Sequence, residues 1–210
     1  MTDIRTDGLS GAQMYQLLIG SVVPRPIAWI TSRSEIGVIN LAPFSAFTWV
    51  CHEPPMIGFG VSRRAGELKD TARNVMTHGT FVVNIADEPL LEALHSSSAD
   101  YAPEISEAEM LNLALTESVT IDVPRLRDAP VALECAYVQA LEFGTARQQF
   151  IIGSVLSFHV RDDLYENGKI DTAKLRPLAR LAGPMYAHLG EIIRMQPAHT
   201  PDALASTRTP

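Results

Sequence analysis

The stretch PRPIAWITSRSEIGVINLAPFSAFTWV, residues 24–50, decides the fold of this chain. Two apolar runs, residues 27–30 and 38–41, flank a polar, glycine-containing segment at residues 32–37. This pattern predicts a β-hairpin whose loop is longer than two residues. Pro43 follows the second run, and because proline lacks an amide donor, it confines this piece of chain to a sheet edge, a bulge or a strand exit.

Small polar residues accompany that proline. Asn40 and Ser45 place an amide and a hydroxyl where a simple strand would continue to alternate. An interrupted strand edge leaves backbone N–H and C=O groups free to meet a ligand. Local hydrogen bonds from the same two side chains could equally cap the strand end. The hairpin alone leaves both interpretations in place.

A second polar cluster is predicted at the start of a helix. Apolar residues at positions 68, 72, 75 and 76 form one face of a helix over residues 67–78, closed by Gly79. Arg63 and Arg64 precede this helix, and Lys69 and Thr71 occupy its first turns. Free amides beside cations make a candidate phosphate site. The alternative is a solvated amphipathic helix with surface charges.

Four separated blocks, in this order along the chain, carry a resemblance to a known family. They are PRPIAWITS, GVINLAPFSAF, HEPPMIGFGVSRR and GELKDTARNVMTHGTFVVNIA. Over roughly residues 15–190 the chain resembles the flavin reductase-like family, and within it flavoredoxin-like proteins and the reductase components that supply flavin to separate monooxygenases. The resemblance implies a mainly β protein with peripheral helices (α+β), folded as an antiparallel FMN-binding split β-barrel.

The resemblance also implies which residues meet FMN. The ring and ribityl chain would contact Thr31, Ser32, Asn40, Ala42 and Ser45, and the phosphate would contact Ser62, Arg64, Lys69 and Thr71, with Asn74 bracing that loop. Arg63 competes with Arg64, because the pair lies one residue nearer to the following KDT sequence than in many relatives. Tyr186 and His188 are candidate nicotinamide contacts, although a lone histidine is more often a packed or surface residue.

The remaining elements follow from periodicity. Residues 10–19 predict a helix that plugs one side of the sheet, and residues 87–115 predict mostly helix, with a capping box from Ser106 to Glu109 and a loop at 96–103. In the family, this insert covers the substrate side of the barrel. Further strands are predicted at 56–61, 80–86, 119–123, 131–141 and 150–160. Alternation predicts two buried faces: Val131, Leu133, Cys135 and Tyr137; and Phe150, Ile152, Leu156, Phe158 and Val160.

Composition narrows the class of protein. The chain has 210 residues, 46% of them hydrophobic, enough for one domain, which we assign to residues 1–196, with a disordered tail at 197–210. A net charge of −7 argues against nucleic acid as a partner. Cys51 and Cys135 lie far apart and are expected to be buried thiols, without a disulfide or a metal site. No stretch predicts a membrane span, so a cytoplasmic protein is expected.

Hydrolase motifs and a dinucleotide fingerprint are absent from the sequence. The resemblance implies an NAD(P)H-dependent oxidoreductase that binds FMN, with FAD possible, and passes reduced flavin or electrons to an acceptor such as a monooxygenase. A flavoprotein electron carrier without NAD(P)H turnover is the alternative, and a relative that has lost flavin is the third. We also expect a homodimer with flavin sites at the interface. Trp29 and Trp49 are expected to be core or interface aromatics.

Overall fold

The computed structural model describes residues 1–196, so the predicted tail at residues 197–210 lies outside the described residues. The helices are α1 (Gly11–Ser21), α2 (Asp70–His78), α3 (Leu91–Ser96), α4 (Glu107–Met110) and α5 (Thr172–Leu175), with 3-10 turns at Glu88–Leu90 and Asp162–Leu164. The strands are β1 (Arg25–Pro26), β2 (Ala28–Arg33), β3 (Ile39–Phe44), β4 (Phe47–His52), β5 (Pro55–Val61), β6 (Thr80–Ile85), β7 (Leu115–Thr116), β8 (Arg125–Leu126), β9 (Val131–Phe143), β10 (Gln148–Val160), β11 (Tyr165–Glu166), β12 (Lys169–Ile170), β13 (Ala179–Arg180) and β14 (Tyr186–Ala187).

One seven-stranded antiparallel sheet forms the body of the protein, in the order β3-β2-β6-β9-β10-β5-β4. Its two outer strands, β3 and β4, are consecutive along the chain and joined only by Ser45 and Ala46. The sheet must therefore curl until its edges nearly meet. The Gly60 N–H donates to the Ala46 carbonyl at 2.7 Å beside this junction. Among the described residues β3 and β4 do not pair, so the result is a split barrel and not a closed one.

The opening hairpin is confirmed. Strands β2 and β3 pair in register, with Trp29 opposite Pro43. Strand β3 lies at the edge of the sheet, where the missing amide of Pro43 leaves no ladder bond broken. The expectation that proline confines this strand to an edge is therefore correct.

Two large apolar cores hold the sheet and helices together, beside a small third cluster at Val82, Val123 and Ala132. Inside the barrel, Phe59 stacks between Phe44 and Phe81, with ring centroids 5.4 and 5.6 Å apart. On the other side of β2, Trp29 is fully buried against Leu94 of α3 and its neighbours, and its indole N–H donates to the Ser97 hydroxyl at 2.8 Å. Trp29 is thus the core residue that was expected, whereas Trp49 is 70% exposed.

The prediction of a strand at residues 119–123 is wrong, because this segment forms a loop. Two of its backbone amides bind a side chain and not a neighbouring strand: Val119 and Thr120 donate to the carboxylate of Glu134 on β9 at 2.6 and 2.7 Å. Glu134 is fully buried, so β9 is covered on both faces over this part. The prediction that β9 has one buried and one solvent-facing side therefore fails over this part of the strand.

The buried face predicted for residues 150–160 is correct at Ile152, which is 8% exposed, but wrong at Leu156 and Phe158. Leu156 and Phe158 are 48% and 55% exposed, whereas Ile151 and Val155 lie in the barrel core. The cause is local, because the pairing of β9 with β10 shifts register twice, between Ile152 and Gly153 and again before Ser157. The first shift leaves Val138 of β9 without a partner, and the second leaves Leu156 of β10 without one, so the alternation along β10 is interrupted at Leu156.

The helical predictions succeed only in part. Residues 87–115 contain short helices separated by turns, because only isolated residues such as Leu94 and Ala108 find buried positions. The predicted capping box does not form: Ser106 is the N-cap of α4, but its buried hydroxyl has no hydrogen-bond partner in the described structure. Helix α1 does have a capping box, from Ser10 and Gln13.

Helix α1 does not plug the sheet, and the described chain buries none of its residues. Cys51 is only partly buried, which differs from the expectation, while Cys135 is buried as expected. None of the helices within residues 1–196 combines the length and apolar character needed to cross a bilayer.

Candidate functional site

A groove of about 560 Å³ runs along the sheet edge formed by β3. Its walls are the N-terminal end of α2, the loop at residues 97–103, helix α1 and the C-terminal segment around β13 and β14. Of the residues predicted to contact cofactor, the groove is lined by Asn40, Ala42, Ser45, Arg64, Lys69, Thr71 and Tyr186. The interrupted edge strand and the start of the helix therefore meet at one site.

A tight turn explains why the two neighbouring arginines point apart. The backbones of Arg64 and Glu67 exchange hydrogen bonds of 2.8 and 2.9 Å. Between them Ala65 and Gly66 have φ values of 47° and 85°, a left-handed pair that glycine accommodates easily. Arg63 turns outward, where its guanidinium contacts the carbonyls of Gly66 and Arg147. Arg64 lines the groove, whereas Arg63 does not, and which of the two contacts a phosphate stays a prediction.

The N-terminus of α2 points at the same end of the groove. Lys69 is its N-cap but makes no side-chain cap bond, so the first amides of the helix have no side-chain acceptor in the described structure. Asp70 is paired with Arg73, while the ammonium of Lys69 forms no ion pair within residues 1–196. The α2 N-terminus, Lys69 and Arg64 therefore bring positive charge to this end of the groove, which four carboxylates also line: Glu67, Asp70, Asp100 and Glu107.

Buried polar side chains fix the helix against the hairpin. The Asn40 amide donates to the Thr71 hydroxyl at 3.4 Å, and the Asn74 amide donates to the Ser32 hydroxyl at 3.3 Å. All four residues are buried. Asn74 therefore ties α2 to β2, and its role in bracing a phosphate loop stays a prediction.

Some predicted contacts are not brought to the groove by their side chains. The Thr31 hydroxyl donates to the Pro124 carbonyl at 2.7 Å, and Ser32 is likewise fully buried. Ser62 and His188 are exposed and lie outside the groove lining. For these four residues, contact with cofactor stays a prediction.

Sequence reasoning missed Glu107, the first residue of α4. Its Oε2 accepts the backbone N–H of Leu41 at 2.8 Å, and the side chain is buried where it borders the groove. Burial raises the pKa of this carboxyl, and the hydrogen bond from Leu41 only partly opposes that effect. The glutamate thus occupies a backbone amide of the edge strand, and this amide is not free to bind a ligand. No local pattern in the sequence distinguishes it from a surface glutamate.

Sequence reasoning also missed Arg25. Its guanidinium donates to the carbonyls of Ile19 and Val22 at the end of α1, at 2.9 and 2.7 Å, and to the Leu181 carbonyl at 2.8 Å. It also approaches the Ser45 hydroxyl at 3.4 Å. Arg25 therefore joins three groove walls that are distant in sequence, a role that only the tertiary structure reveals.

The far end of the groove is built around Tyr186. Its hydroxyl lies 2.6 Å from Nη1 of Arg180 and 3.1 Å from Nδ1 of His95. The Arg180 guanidinium lies over the tyrosine ring, 4.6 Å from its centroid, and its Nε donates to the Gly183 carbonyl at 3.0 Å. Burial raises the pKa of the phenol, and Arg180 only partly counteracts this. Tyr186 is therefore held in its protonated form at neutral pH.

The loop at residues 97–103 closes the groove from the side opposite α2. Ser97 is anchored by the indole of Trp29, and Asp100 pairs with Arg64 across the groove. The family resemblance places this insert on the substrate side of the barrel, and in the structure the loop lines the groove. Any anion that reaches Arg64 must compete with Asp100.

Comparison with proteins of known structure gives three informative matches. The chain is 40% identical to component B of nitrilotriacetate monooxygenase from Bacillus cereus, with a TM-score of 0.90 over 93% of this chain and 98% of that one. It is 35% identical to 2-nitrobenzoate 2-nitroreductase from Pseudomonas fluorescens, with a TM-score of 0.87 over 95% and 98%. A protein with a split barrel domain from Shewanella frigidimarina is 18% identical, with a TM-score of 0.82 over 94% and 100%, and shows the fold alone.

The family model described as flavin reductase like domain matches residues 19–179. The matched range begins near the end of α1 and includes all seven strands of the main sheet, the start of α2 and the loop over the groove. The sequence blocks, the split barrel and the groove therefore agree, and the chain belongs to the flavin reductase-like family.

Proposed function

We propose that this protein is a cytoplasmic oxidoreductase that binds FMN in the groove, takes a hydride from NAD(P)H and passes reduced flavin or electrons to a separate acceptor. The 40% identity to component B of a monooxygenase supports an oxygenase as that acceptor. The observation that carries the proposal is the meeting of Arg64, Lys69 and the α2 N-terminus at one end of a groove bordered by the broken edge strand.

The donor set of the groove fits FMN. One end supplies two cations and free helix amides, which suit a phosphate dianion. The middle supplies Asn40 and Ser45, whose amide and hydroxyl suit the ribityl chain and the polar edge of a flavin ring. FAD also carries phosphate, and the groove residues alone do not discriminate against it.

The chain's own contribution is to bind and orient. A bound flavin would supply the redox chemistry by accepting a hydride and releasing electrons. Arg64 and Lys69 would hold the phosphate, Asn40 and Ser45 would position the ring, and the loop at residues 97–103 would limit the access of water. Tyr186 lines the same groove on the C-terminal segment, so it would face a donor or acceptor that enters beside the flavin.

A flavoprotein electron carrier without useful NAD(P)H turnover is the second candidate, and it needs the same groove. We expect the purified protein to be yellow, to release FMN with the mass of the mononucleotide, and to lose its absorbance near 450 nm on rapid mixing with NADH or NADPH. Bleaching by dithionite but not by either nucleotide would favour the carrier. A colourless protein that ignores added FMN would contradict both candidates.

We further propose that the protein is a homodimer with flavin sites at its interface. Met14, Leu17 and Leu18 on α1 are 37%, 43% and 61% exposed, which leaves an apolar helix face that the chain itself does not cover. The same helix contributes Tyr15 and Ile19 to the groove lining. A second copy that covered α1 would therefore complete the groove as well as bury this face.

Replacing Leu17 and Leu18 together with glutamate should convert the dimer to a monomer and reduce FMN retention, because charge on this face opposes burial. Sedimentation velocity, recorded at 450 nm and 280 nm over a dilution series, measures both effects together. Ile36→Glu is the matched control, since Ile36 is 73% exposed on the hairpin loop and lies outside the groove. A wild-type monomer that keeps all its FMN on dilution would contradict the shared site.

A further inference from the structure

The contacts of the Tyr186 hydroxyl determine where its proton can point. A phenol oxygen can accept two hydrogen bonds and donate one. Arg180 can only donate, and it occupies one acceptor position at 2.6 Å. If His95 carries its proton on Nδ1, it occupies the other at 3.1 Å. The single proton of the phenol is then free for a third partner, and the groove is the space that Tyr186 borders.

The three residues also connect the groove to solvent. Tyr186 is partly buried at the groove wall, whereas His95 lies behind it, outside the groove lining, and is exposed. The two rings meet edge to face, with centroids 5.7 Å apart and an interplanar angle of 88°. A proton can therefore pass from water to His95 and from His95 to the phenol oxygen without crossing the groove.

We propose that Tyr186 donates a proton to an oxygen-bearing electron acceptor of the quinone class bound in the groove, and that His95 restores this proton from solvent. The inference rests on the proposed flavin oxidoreductase function. The acceptor gains a hydride from the reduced flavin and a proton from Tyr186, so it takes up two electrons and two protons in all. The phenol O–H bond breaks and an O–H bond forms on the acceptor. The phenolate then takes the Nδ1 proton of His95 while solvent protonates Nε2, so His95 stays neutral and returns to its first tautomer by exchange with water.

Arg180 acts as a positioning residue in this scheme. Its contact with the Gly183 carbonyl fixes the guanidinium, and its contact with the phenol oxygen stabilises the phenolate that forms transiently. Arginine stays charged throughout and cannot itself supply the proton.

The first test needs no cofactor. A long-range ¹H–¹⁵N spectrum of the apoprotein at pH 7.5 reports which ring nitrogen of His95 carries a proton. We expect a protonated Nδ1 in the wild type and a shifted Nδ1 signal in Tyr186→Phe, which removes only the oxygen. An unprotonated Nδ1 in the wild type would mean that the phenol donates to His95 instead, and it would overturn the proposal.

The second test compares two acceptors on the FMN-loaded protein. Menadione takes up protons on reduction to its hydroquinone, whereas ferricyanide takes one electron and no proton. We expect Tyr186→Phe to lower the ratio of menadione turnover to ferricyanide turnover about a hundredfold, the low end of the contribution of a general acid. Ferricyanide turnover reports any effect of the substitution on flavin reduction, which both acceptors share. The solvent deuterium isotope effect on menadione turnover should fall in the same variant.

Tyr165→Phe is the control, because Tyr165 is 59% exposed on β11 and lies outside the groove lining. Equal losses with both acceptors would assign Tyr186 a purely structural role, and unchanged menadione turnover would exclude it as the donor; either result overturns the proposal. A wild-type protein that binds no flavin would contradict the proposed function instead. The His95 measurement in the apoprotein still decides the proton placement in that case.

Discussion

FMN should bind at least a hundredfold more weakly to the double variant Arg64→Ala/Lys69→Ala than to the wild type, while riboflavin affinity should change by no more than about twofold. The two side chains lie at the α2 end of the groove, where a phosphate would also meet free helix amides. Charge-assisted hydrogen bonds contribute about 1.5–3 kcal/mol each, so losing two costs about 3 kcal/mol at the low end of that range. We use the low end because Arg64 is half exposed and already pairs with Asp100. Fluorescence quenching titrations with both ligands measure the difference.

Arg63→Ala provides the matched control for this prediction. Arg63 is adjacent in sequence and has the same charge, but its guanidinium faces Glu142 and the Arg147 carbonyl, away from the groove. Its removal should leave the ratio of FMN to riboflavin affinity unchanged. Equal losses of FMN and riboflavin in the double variant would contradict the phosphate assignment, and a loss confined to Arg63→Ala would transfer the role to the neighbouring arginine.

The elements that the sequence predicted well are those with strong local signals. The hairpin has two apolar runs and a polar loop, and α2 ends at Gly79, which adopts φ of 82° as a left-handed C-cap. The start of α2 is less well predicted: the helix begins at Asp70, after the Arg64–Glu67 turn, and not at residue 67. The turn was not predicted because Ala65 adopts a positive φ, a conformation that the presence of an alanine does not indicate.

The parts of the groove that the sequence missed depend on contacts between distant residues. Arg25 reaches Leu181, and Tyr186 reaches His95, across separations of 156 and 91 residues. Periodicity describes one element at a time and cannot report which arginine meets which carbonyl. The blocks that carry the family resemblance identified the α2 end and β3 edge of the groove, while its far end had only Tyr186 and His188 as candidates, and only Tyr186 lines it.

A buried carboxylate illustrates the same limit. Alternation along β9 puts Glu134 on the face opposite Leu133 and Cys135, yet Glu134 is fully buried, and its carboxylate holds the loop at residues 119–123 over it. A charge at such a position must be paired or hydrogen-bonded. Glu134 accepts two backbone amides, the Thr120 hydroxyl and Nε2 of His159, so the loop that was predicted to be a strand is in fact a cover held by this side chain.

Replacing Glu134 with glutamine should lower the free energy of unfolding by about 3 kcal/mol at pH 7. Burial alone would raise the pKa of this carboxyl, but the hydrogen bonds from Thr120, Val119 and His159 outweigh it and lower the pKa to about 2. An unfolded glutamate titrates near pH 4.3, and each pKa unit of difference corresponds to roughly 1.4 kcal/mol. Because the folded pKa is depressed, the stabilisation is fully present above the unfolded pKa and is lost as the pH falls towards 2.

Urea denaturation of the wild type and Glu134→Gln at several values between pH 7 and pH 2.5 measures this directly, and the gap between the two curves should shrink as the pH falls. Glu104→Gln is the matched control, since Glu104 is exposed on the loop before α4 and should change stability by less than about 0.5 kcal/mol at every pH. The mechanism requires the carboxylate itself to hold the loop at residues 119–123, so amide exchange at Val119 and Thr120 should accelerate in Glu134→Gln at pH 7. If the difference in unfolding free energy between the two proteins stayed constant with pH, the loss of stability would not come from the carboxylate charge. The charge of Glu134 would then not be what holds the loop.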